Sequence, residues 1–251
     1  MMKKLIDIAI ILFFFSCSTR EKPNTSNNTK LTDTLVSFSG YWLSENYYNS
    51  IKEFKSPRKA QEGSTFLYIP DTLGLPNITR IISFHMGDDK LKIVKKANKY
   101  YLYKYYAAGI APYNEEIKNV SSTKITIGGK NFIKISPVKT NEGELILEEI
   151  LFKGHYVTKE GKEIEFKTNG QIIGLDSFEY YSPLIDYFDA GLDVDQIKLG
   201  KTENKMDKFG FKFFGDTLEI NKLNCIDYDS VYKTCNQVAL GKIVYRLIKK
   251  K

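Results

Sequence analysis

Residues 124–135 of the chain read KITIGGKNFIKI, and this stretch decides the fold class. Two short runs in which apolar and polar residues largely alternate stand on either side of Gly128-Gly129. Glycine readily adopts the positive φ angles that a tight turn between two antiparallel strands requires. The stretch therefore predicts a β-hairpin with strands over residues 124–127 and 131–135.

Similar runs of branched and aromatic residues lie on both sides of this hairpin, and Gly, Pro or Asp separates several of them. Turn signals recur at intervals of often about eight to twelve residues, which is typical of a β-sandwich or β-barrel. The sequence thus predicts an all-β, antiparallel fold. The further predicted strands cover residues 36–43, 65–69, 78–85, 91–94, 100–106, 145–157, 164–167, 171–175, 196–199, 209–214, 217–220 and 242–248.

One segment departs from the strand pattern. Its apolar residues recur at helical spacing within residues 45–55, namely Tyr47, Tyr48, Ile51 and Phe54. Ser44 is suited to the N-cap position, and Ser56-Pro57 is suited to ending the helix. We therefore expect one short amphipathic helix directly after the first strand.

The N-terminus has the pattern of an export signal. Lys3 and Lys4 precede an unbroken apolar run, residues 8–15, which is followed by a small residue and Cys17. The run is shorter than the roughly 20 residues that span a bilayer. The segment resembles the lipobox of bacterial lipoproteins. That resemblance implies that residues 1–16 are a signal peptide and that Cys17 carries the lipid.

The next segment, residues 17–34, is rich in Ser, Thr, Asn and Lys and holds few apolar residues. Such a segment cannot bury enough surface to offset its ordering entropy, so it predicts a flexible tether after the lipidated cysteine. Ser18 occupies the position at which an Asp favours retention of a lipoprotein in the inner membrane. The resemblance therefore implies an exported chain that is lipid-anchored to the outer membrane.

Two motifs resemble those of lipocalins and their calycin relatives. Gly40 and Trp42 in the predicted first strand match the G-x-W signature, and Tyr245-Arg246 in the last strand matches the partnering arginine. The resemblance implies a barrel end closed by Gly40, Trp42 and Arg246, with the guanidinium across the indole ring. The R-x-Y motif with which fatty-acid-binding relatives hold a carboxylate is not matched, because here the tyrosine precedes the arginine.

A fainter echo of the first motif occurs at Gly154-His155-Tyr156. It suggests two related β-units over residues 35–150 and 151–251, each of lipocalin-like barrel type. The alternative is a single elaborated barrel over residues 35–251.

A tyrosine-rich strand is the main candidate for ligand binding. Tyr101, Tyr103 and Tyr105 share one face of a strand, and on the inward face they would line an aromatic cavity. A lipid, sterol or sugar would suit that lining, whereas ordinary packing or a protein-contact face is the alternative. The sequence favours binding of a small hydrophobic or amphipathic ligand over catalysis. A cell-envelope protein-interaction module is the second hypothesis.

An acidic loop is the candidate for metal binding or hydrolysis. It contains Asp186, Asp189, Asp193 and Asp195, whose oxygens are of the kind that Ca²⁺ prefers. The spacing does not match an EF-hand, so a solvated loop is favoured and a hydrolase that uses these carboxylates is the third hypothesis.

Other chemistry has little support in the sequence. His85 and His155 lack the spacing of a zinc site, and Gly129-Lys130 is followed by Asn131 where a phosphate-binding loop needs Ser or Thr. No cofactor is expected. The net charge of +7 is spread along the chain without a nucleic-acid-binding motif, so nucleic acid is not an expected partner.

Two further cysteines remain, Cys225 and Cys235. A pair close in sequence in an exported chain predicts one disulfide that braces a loop or hairpin near the C-terminus.

Overall fold

The computed structural model describes residues 38–61, 65–69, 78–83, 87–106, 109–110, 115–140, 143–187 and 192–250. All paired strands in these ranges are antiparallel, and the helical segments are short. The predicted all-β antiparallel fold is therefore confirmed. Cys17 and the tether lie outside the described residues, so the predicted anchor stays a prediction.

The first sheet is a nearly closed barrel. Pairing runs from β1 through β2, β3, β4, β5, β7, β8 and β9 and returns to β1, with β6 added beside β5. The first and last strands of this series are thus neighbours, as barrel closure requires. Its strands are β1 (Gly40–Ser44), β2 (Thr65–Ile69), β3 (Ile78–Ser83), β4 (Gly87–Lys96), β5 (Lys99–Tyr106), β6 (Gly109–Ile110), β7 (Glu115–Ser121), β8 (Lys124–Ile127) and β9 (Lys130–Ile135).

The predicted hairpin at residues 124–135 is present. Ile127 pairs with Lys130, and the two residues between them are Gly128 at φ 55° and Gly129 at φ 81°. Both φ angles lie in the left-handed region, where a side chain would be strained. The tight turn therefore depends on the two glycines, which adopt these φ angles without strain.

Apolar side chains fill the described interior of the first barrel. They alternate along the strands with residues on the outer face, as in β8, where Ile125 and Ile127 are buried and Thr126 is not. The buried cluster consists of Phe38, Trp42, Leu67, Ile69, Ile93, Tyr100, Leu102, Ile117, Ile125, Ile127 and Phe132.

The predicted helix follows β1 directly. Helix α1 spans Glu45–Phe54 and buries Tyr47 and Ile51 completely. Its N-cap residue makes no side-chain cap hydrogen bond, and the helix ends at Lys55 in the left-handed conformation. Ser56 then accepts a hydrogen bond from the backbone of the second helix, α2 (Pro57–Ala60). The Ser-Pro pair thus ends one helix and begins the next.

The segment between the two sheets corrects one prediction. A continuous strand was expected over residues 145–157, but the hairpin of β10 (Val138–Thr140) and β11 (Gly143–Leu145) is followed by a π-helix at Glu148–Phe152. The Lys153 N–H donates to the carbonyl of Glu148 at 2.9 Å, the five-residue spacing of a π-turn. Apolar residues on all sides of a short segment do not distinguish a buried strand from a buried helix.

The second sheet also pairs its first strand with its last. The order is β14-β13-β12-β19-β18-β17-β16-β15, and one bridge, Gln171 to Tyr180, joins the two edge strands. The sheet is therefore a half-open barrel. Its strands are β12 (Gly154–Val157), β13 (Glu163–Phe166), β14 (Ile172–Ile173), β15 (Tyr180–Pro183), β16 (Gln196–Thr202), β17 (Lys205–Phe214), β18 (Thr217–Asp229) and β19 (Thr234–Lys249).

The core of the second sheet continues into the first part of the chain. Tyr47 and Ile51 of α1, together with Leu43 and Phe66, belong to the same buried cluster as residues of the second sheet. Leu43 follows the barrel-interior Trp42, so alternation places it on the outer face of β1. Helix α1 therefore packs between the first barrel and the second sheet.

Candidate functional site

The end of the first barrel is closed around Trp42. The indole N–H of Trp42 donates to the carbonyl of Phe38 at 2.7 Å, and the ammonium of Lys134 lies 5.4 Å from the ring centroid. Gly40 has a φ of +118°, and a Cβ there would lie 2.9 Å from Cε of Lys134. The glycine thus lets the lysine stem cross the strand to reach the indole.

The second sheet repeats this arrangement with different residues. The hydroxyl of Tyr156 donates to the carbonyl of Phe152 at 2.8 Å, and the ammonium of Lys249 lies 5.5 Å from the ring. Gly154 has a φ of +140°, and a Cβ there would lie 3.0 Å from Cε of Lys249. The two sheets therefore share one end-closing device, in which Phe, Gly, an aromatic residue and Lys occupy corresponding places.

The cation over Trp42 is therefore Lys134, and the prediction that Arg246 closes this end is wrong. Arg246 lies on β19 of the second sheet, where its guanidinium pairs with Glu219 at 2.6 Å. Each sheet pairs its own first strand with its own last strand, which separates Trp42 from Arg246. A signal for the correct partner exists in the sequence, because Phe132-Ile133-Lys134 resembles Leu247-Ile248-Lys249.

Two of the tyrosines predicted to line a ligand cavity, Tyr101 and Tyr103, lie on the face of β5 that is turned away from the barrel interior. Tyr100 and Leu102 belong to the buried cluster inside the first barrel. Tyr101 and Tyr103 are one residue out of phase with them and lie on the other face of β5. The side chain of Tyr105 lies outside the described residues. Tyr101 and Tyr103 therefore do not line the barrel interior.

The acidic loop does not assemble a metal site in the described part of the chain. Asp193 accepts a hydrogen bond from the Val238 N–H at 3.1 Å, and Asp195 accepts one from the Arg58 N–H at 2.9 Å. Burial raises the pKa of Asp195 above its usual range. Among the described residues, no three His, Cys, Asp or Glu side chains are grouped as metal ligands would be, while Asp189 lies outside that set.

The predicted disulfide is present at the base of a long hairpin. Cys225 and Cys235 are bonded, with their Cα atoms 5.7 Å apart. The pairing of β17 with β18 ends at Asn221, and β12 pairs with β19 only at its C-terminal end. Residues 222–240, here called the arm, therefore extend beyond the rest of the sheet as a two-stranded hairpin.

The end of the arm, residues 226–233, carries exposed large apolar side chains among polar ones. We call it the tip. Val231 is 80% exposed and Tyr232 is 77% exposed, and Ile226 and Tyr228 on β18 are exposed as well. The carboxylate of Asp229 accepts hydrogen bonds from the N–H groups of Val231 at 2.8 Å and Tyr232 at 3.0 Å, which fixes the turn. The exposed side chains are thus presented from an ordered turn.

Among the clefts that flank the second sheet, one lies beside the arm and one beside the edge strands. One, of about 580 Å³, lies under the arm between Leu192, Leu223, Val238 and the disulfide. The other, of about 840 Å³, lies at the seam where the edge strands β14 and β15 meet. The lining of this seam cleft is mixed and includes Tyr180, Tyr181, Met206, Asn169 and Ser182.

Comparison with known proteins adds no assignment. No protein-family model matches the chain, and neither the curated proteins nor the solved structures contain a match. Within the described ranges, every helix is too short or too polar to cross a membrane.

Proposed function

We propose that the chain is a lipid-anchored protein of the cell envelope, attached at Cys17 to the outer membrane, that binds another envelope protein through the arm. The observation that carries this proposal is the tip, where exposed apolar side chains stand on a disulfide-braced hairpin. Exposed aromatic and aliphatic groups clustered in this way are typical of protein-contact surfaces.

The first barrel supports an interaction role over a ligand in its interior. Its described side chains form a continuous apolar cluster that includes Trp42 and Phe132. Side chains packed in this way leave no room for a second molecule in the described part of the interior. The surface of the chain is then the more suitable place for recognition.

The charge of the tip indicates what kind of segment would fit. The tip contains two acidic residues, Asp227 and Asp229, and one lysine, Lys233, whereas the whole chain has a net charge of +7. Asp229 is engaged by the turn, and Asp227 accepts a hydrogen bond from Asn236 at 3.3 Å. An extended apolar segment of a partner protein with flanking Lys or Arg residues complements this surface.

Site-specific photo-crosslinking in the native cell tests the proposal. A photoreactive phenylalanine analogue replaces Tyr232, and the same analogue replaces Lys159 as an exposed control away from the arm. We expect one protein, identified by mass spectrometry, to crosslink at position 232 and not at position 159. Crosslinks to lipid alone, or equal crosslinking at both positions, would overturn the proposal.

A binding measurement with the purified, identified partner completes the test. The tip variant carries Val231→Ser and Tyr232→Ser, and the control variant carries Ile173→Ser, which changes an exposed apolar residue of β14. We expect the tip variant to bind at least about tenfold more weakly and the control variant to bind normally, because only the tip contributes apolar contact area. Equal affinities would contradict the proposed role of the tip.

A second candidate function is supported by the seam cleft. Its volume of about 840 Å³ and its mixture of tyrosine, methionine and amide groups suit a small amphipathic ligand. Binding of the fluorescent probe 1-anilinonaphthalene-8-sulfonate, measured in the tip variant, would then decrease on Tyr180→Ser. Unchanged probe binding in this variant would exclude the cleft as the site.

A further inference from the structure

A small basic pocket lies where helix α1, the π-helix and the turn between β17 and β18 meet. Its volume is about 120 Å³. Lys52 and Lys55 enter it from α1, Lys249 enters it from β19, and Leu151 and Phe213 form an apolar wall. The pocket thus combines residues from helix α1 and from the last strand of the second sheet, and junctions of this kind are common locations of binding sites.

The lysines of this pocket outnumber its carboxylates. Asp216 lies 3.9 Å from Nζ of Lys55, which also donates to the carbonyl of Gly215. Within the described part of the chain, Lys52 and Lys249 have no carboxylate within salt-bridge distance. The lining of the pocket therefore holds three lysines and one carboxylate, which pairs only with Lys55.

Lys249 is partly buried, whereas Lys52 is exposed. The stem of Lys249 lies beside Gly154 and its ammonium lies 5.5 Å from the Tyr156 ring. Burial, and secondly the charge of Lys55, lower the pKa of Lys249 below its usual range. A partly buried cation next to another cation is unfavourable, and Asp216, whose charge acts in the opposite direction on this pKa, supplies only one negative charge for the lysines of the pocket.

The corresponding lysine of the first barrel provides a comparison. Lys134 lies over Trp42 in the same manner, yet it is exposed to solvent. An exposed lysine is therefore sufficient to close a barrel end. The partial burial of Lys249 and the two further lysines of its pocket are not explained by barrel closure.

We propose that this pocket binds a phosphate group through the ammonium groups of Lys52, Lys55 and Lys249. Lysine is a compact point charge with three donors, which suits the oxygens of a phosphate approached from several directions. The volume of about 120 Å³ admits the anionic group and leaves the remainder of a larger molecule outside. The phosphate can come from a soluble phosphate ester or from a phospholipid headgroup. This inference is independent of the arm.

Isothermal titration calorimetry on the full chain in a neutral detergent tests the pocket. Inorganic phosphate is titrated at constant ionic strength set with sodium chloride, because salt screens exposed charges. In a second arm, the short-chain lipid dihexanoyl phosphatidylglycerol is titrated, with dihexanoyl phosphatidylcholine as the zwitterionic comparison. Binding of inorganic phosphate indicates a soluble source, and binding of phosphatidylglycerol alone indicates a headgroup.

Three variants locate the binding. Lys52→Gln changes an exposed position and leaves the fold intact, while Lys249→Met keeps the apolar stem and removes the charge. We expect affinity to fall about threefold in Lys52→Gln and about tenfold in Lys249→Met. Lys212→Gln, an exposed lysine next to Phe213, serves as the matched control and should bind as the unmodified chain does.

Two outcomes would overturn the proposal. One is the absence of a binding heat for both inorganic phosphate and phosphatidylglycerol. The other is an equal loss of affinity in Lys52→Gln, Lys249→Met and Lys212→Gln, since that would indicate a diffuse response of surface charge. Circular dichroism of each variant verifies that the fold is retained.

Discussion

The ammonium group of Lys134 lies 5.4 Å from the centroid of the Trp42 ring. The register of β1 and β9 places these two residues directly opposite each other. The contact depends on Gly40, because a Cβ at that position would lie 2.9 Å from the lysine stem. A substitution at Gly40 therefore tests both the backbone conformation and the closing of the barrel end.

We expect Gly40→Ala to destabilise the fold by roughly 2–4 kcal/mol, the sum of backbone strain and a displaced cation–π contact. Gly161→Ala is the matched control, because Gly161 also has a positive φ, +83°, but open space around it. Urea unfolding of both variants measures the difference. Equal losses would show that the lysine contact contributes nothing.

The buried hydroxyl of Tyr156 is predicted to stabilise the second sheet. Tyr156→Phe removes the donor of its hydrogen bond to Phe152 and leaves that buried carbonyl unpaired. The expected loss is about 1–3 kcal/mol in the free energy of unfolding. Tyr228→Phe, at an exposed position of the arm, should change it by less than about 0.5 kcal/mol. Similar values for the two variants would contradict the role of the buried bond.

Glu148 predicts a pH dependence of stability. Burial raises the pKa of its carboxyl from 4.5 to about 8, so the folded chain holds a proton that the unfolded chain releases. The stabilising contribution is complete below about pH 4.5 and is lost as the pH rises to about 8. Glu148→Gln should remove this dependence and should be more stable than the unmodified chain at pH 9, by an amount on the order of a few kcal/mol.

Urea unfolding between pH 4.5 and pH 9 measures the effect of Glu148. Glu149→Gln provides the control, since this neighbouring carboxylate is paired with Lys153 and is less buried. Parallel pH profiles for the unmodified chain and Glu148→Gln would show that the carboxyl of Glu148 is ionised in the folded chain.

The disulfide is predicted to brace the arm. The double variant Cys225→Ser with Cys235→Ser should lose roughly 2–3 kcal/mol, the value for a short loop. Limited proteolysis should cut within the arm earlier than in the unmodified chain, because the two arm strands pair mainly with each other. Retention of the original cleavage pattern would show that the hydrogen bonds of the hairpin suffice.

The lipid anchor is tested by processing. Cys17→Ser should yield an unlipidated precursor that is not cleaved after Ser16, because the sulfur to be acylated is gone. Mass spectrometry of the N-terminal peptide measures both events. An unmodified chain that lacks a lipid yet has the same processed N-terminus would disprove the anchor.

Local features were predictable and the pairing of distant residues was not. The hairpin at residues 124–135 and helix α1 follow from short-range patterns, Gly-Gly and the spacing of Tyr47 and Ile51. The partner of Trp42 lies 92 residues further along the chain, at Lys134. The similarity between the ends of β9 and β19 was the available signal for this lysine, whereas the resemblance to lipocalins implies an arginine.

The phase of the tyrosine strand shows a second limit of the sequence. Alternation along β5 places Tyr101 and Tyr103 on one face and Tyr100 and Leu102 on the other. The residues of either face are apolar enough to be buried, so the sequence does not show which face is inside. Only the packing of Tyr100 against Phe38, with ring centroids 5.5 Å apart, reveals which face is inside. The exposure of the tip could not be predicted either, because an aromatic loop between two cysteines has the same sequence pattern whether it is exposed or packed against the protein.

The placement of α1 has a consequence for how the chain matures. Its buried residues Tyr47 and Ile51 are covered by the second sheet, whose last strand ends at Lys249. A nascent chain that emerges with its N-terminus first therefore carries an uncovered apolar helix until almost the whole polypeptide has appeared. In the proposed export of this chain, translocation must be finished before the helix is sheltered, so a holding chaperone that binds the uncovered helix would protect the chain from aggregation.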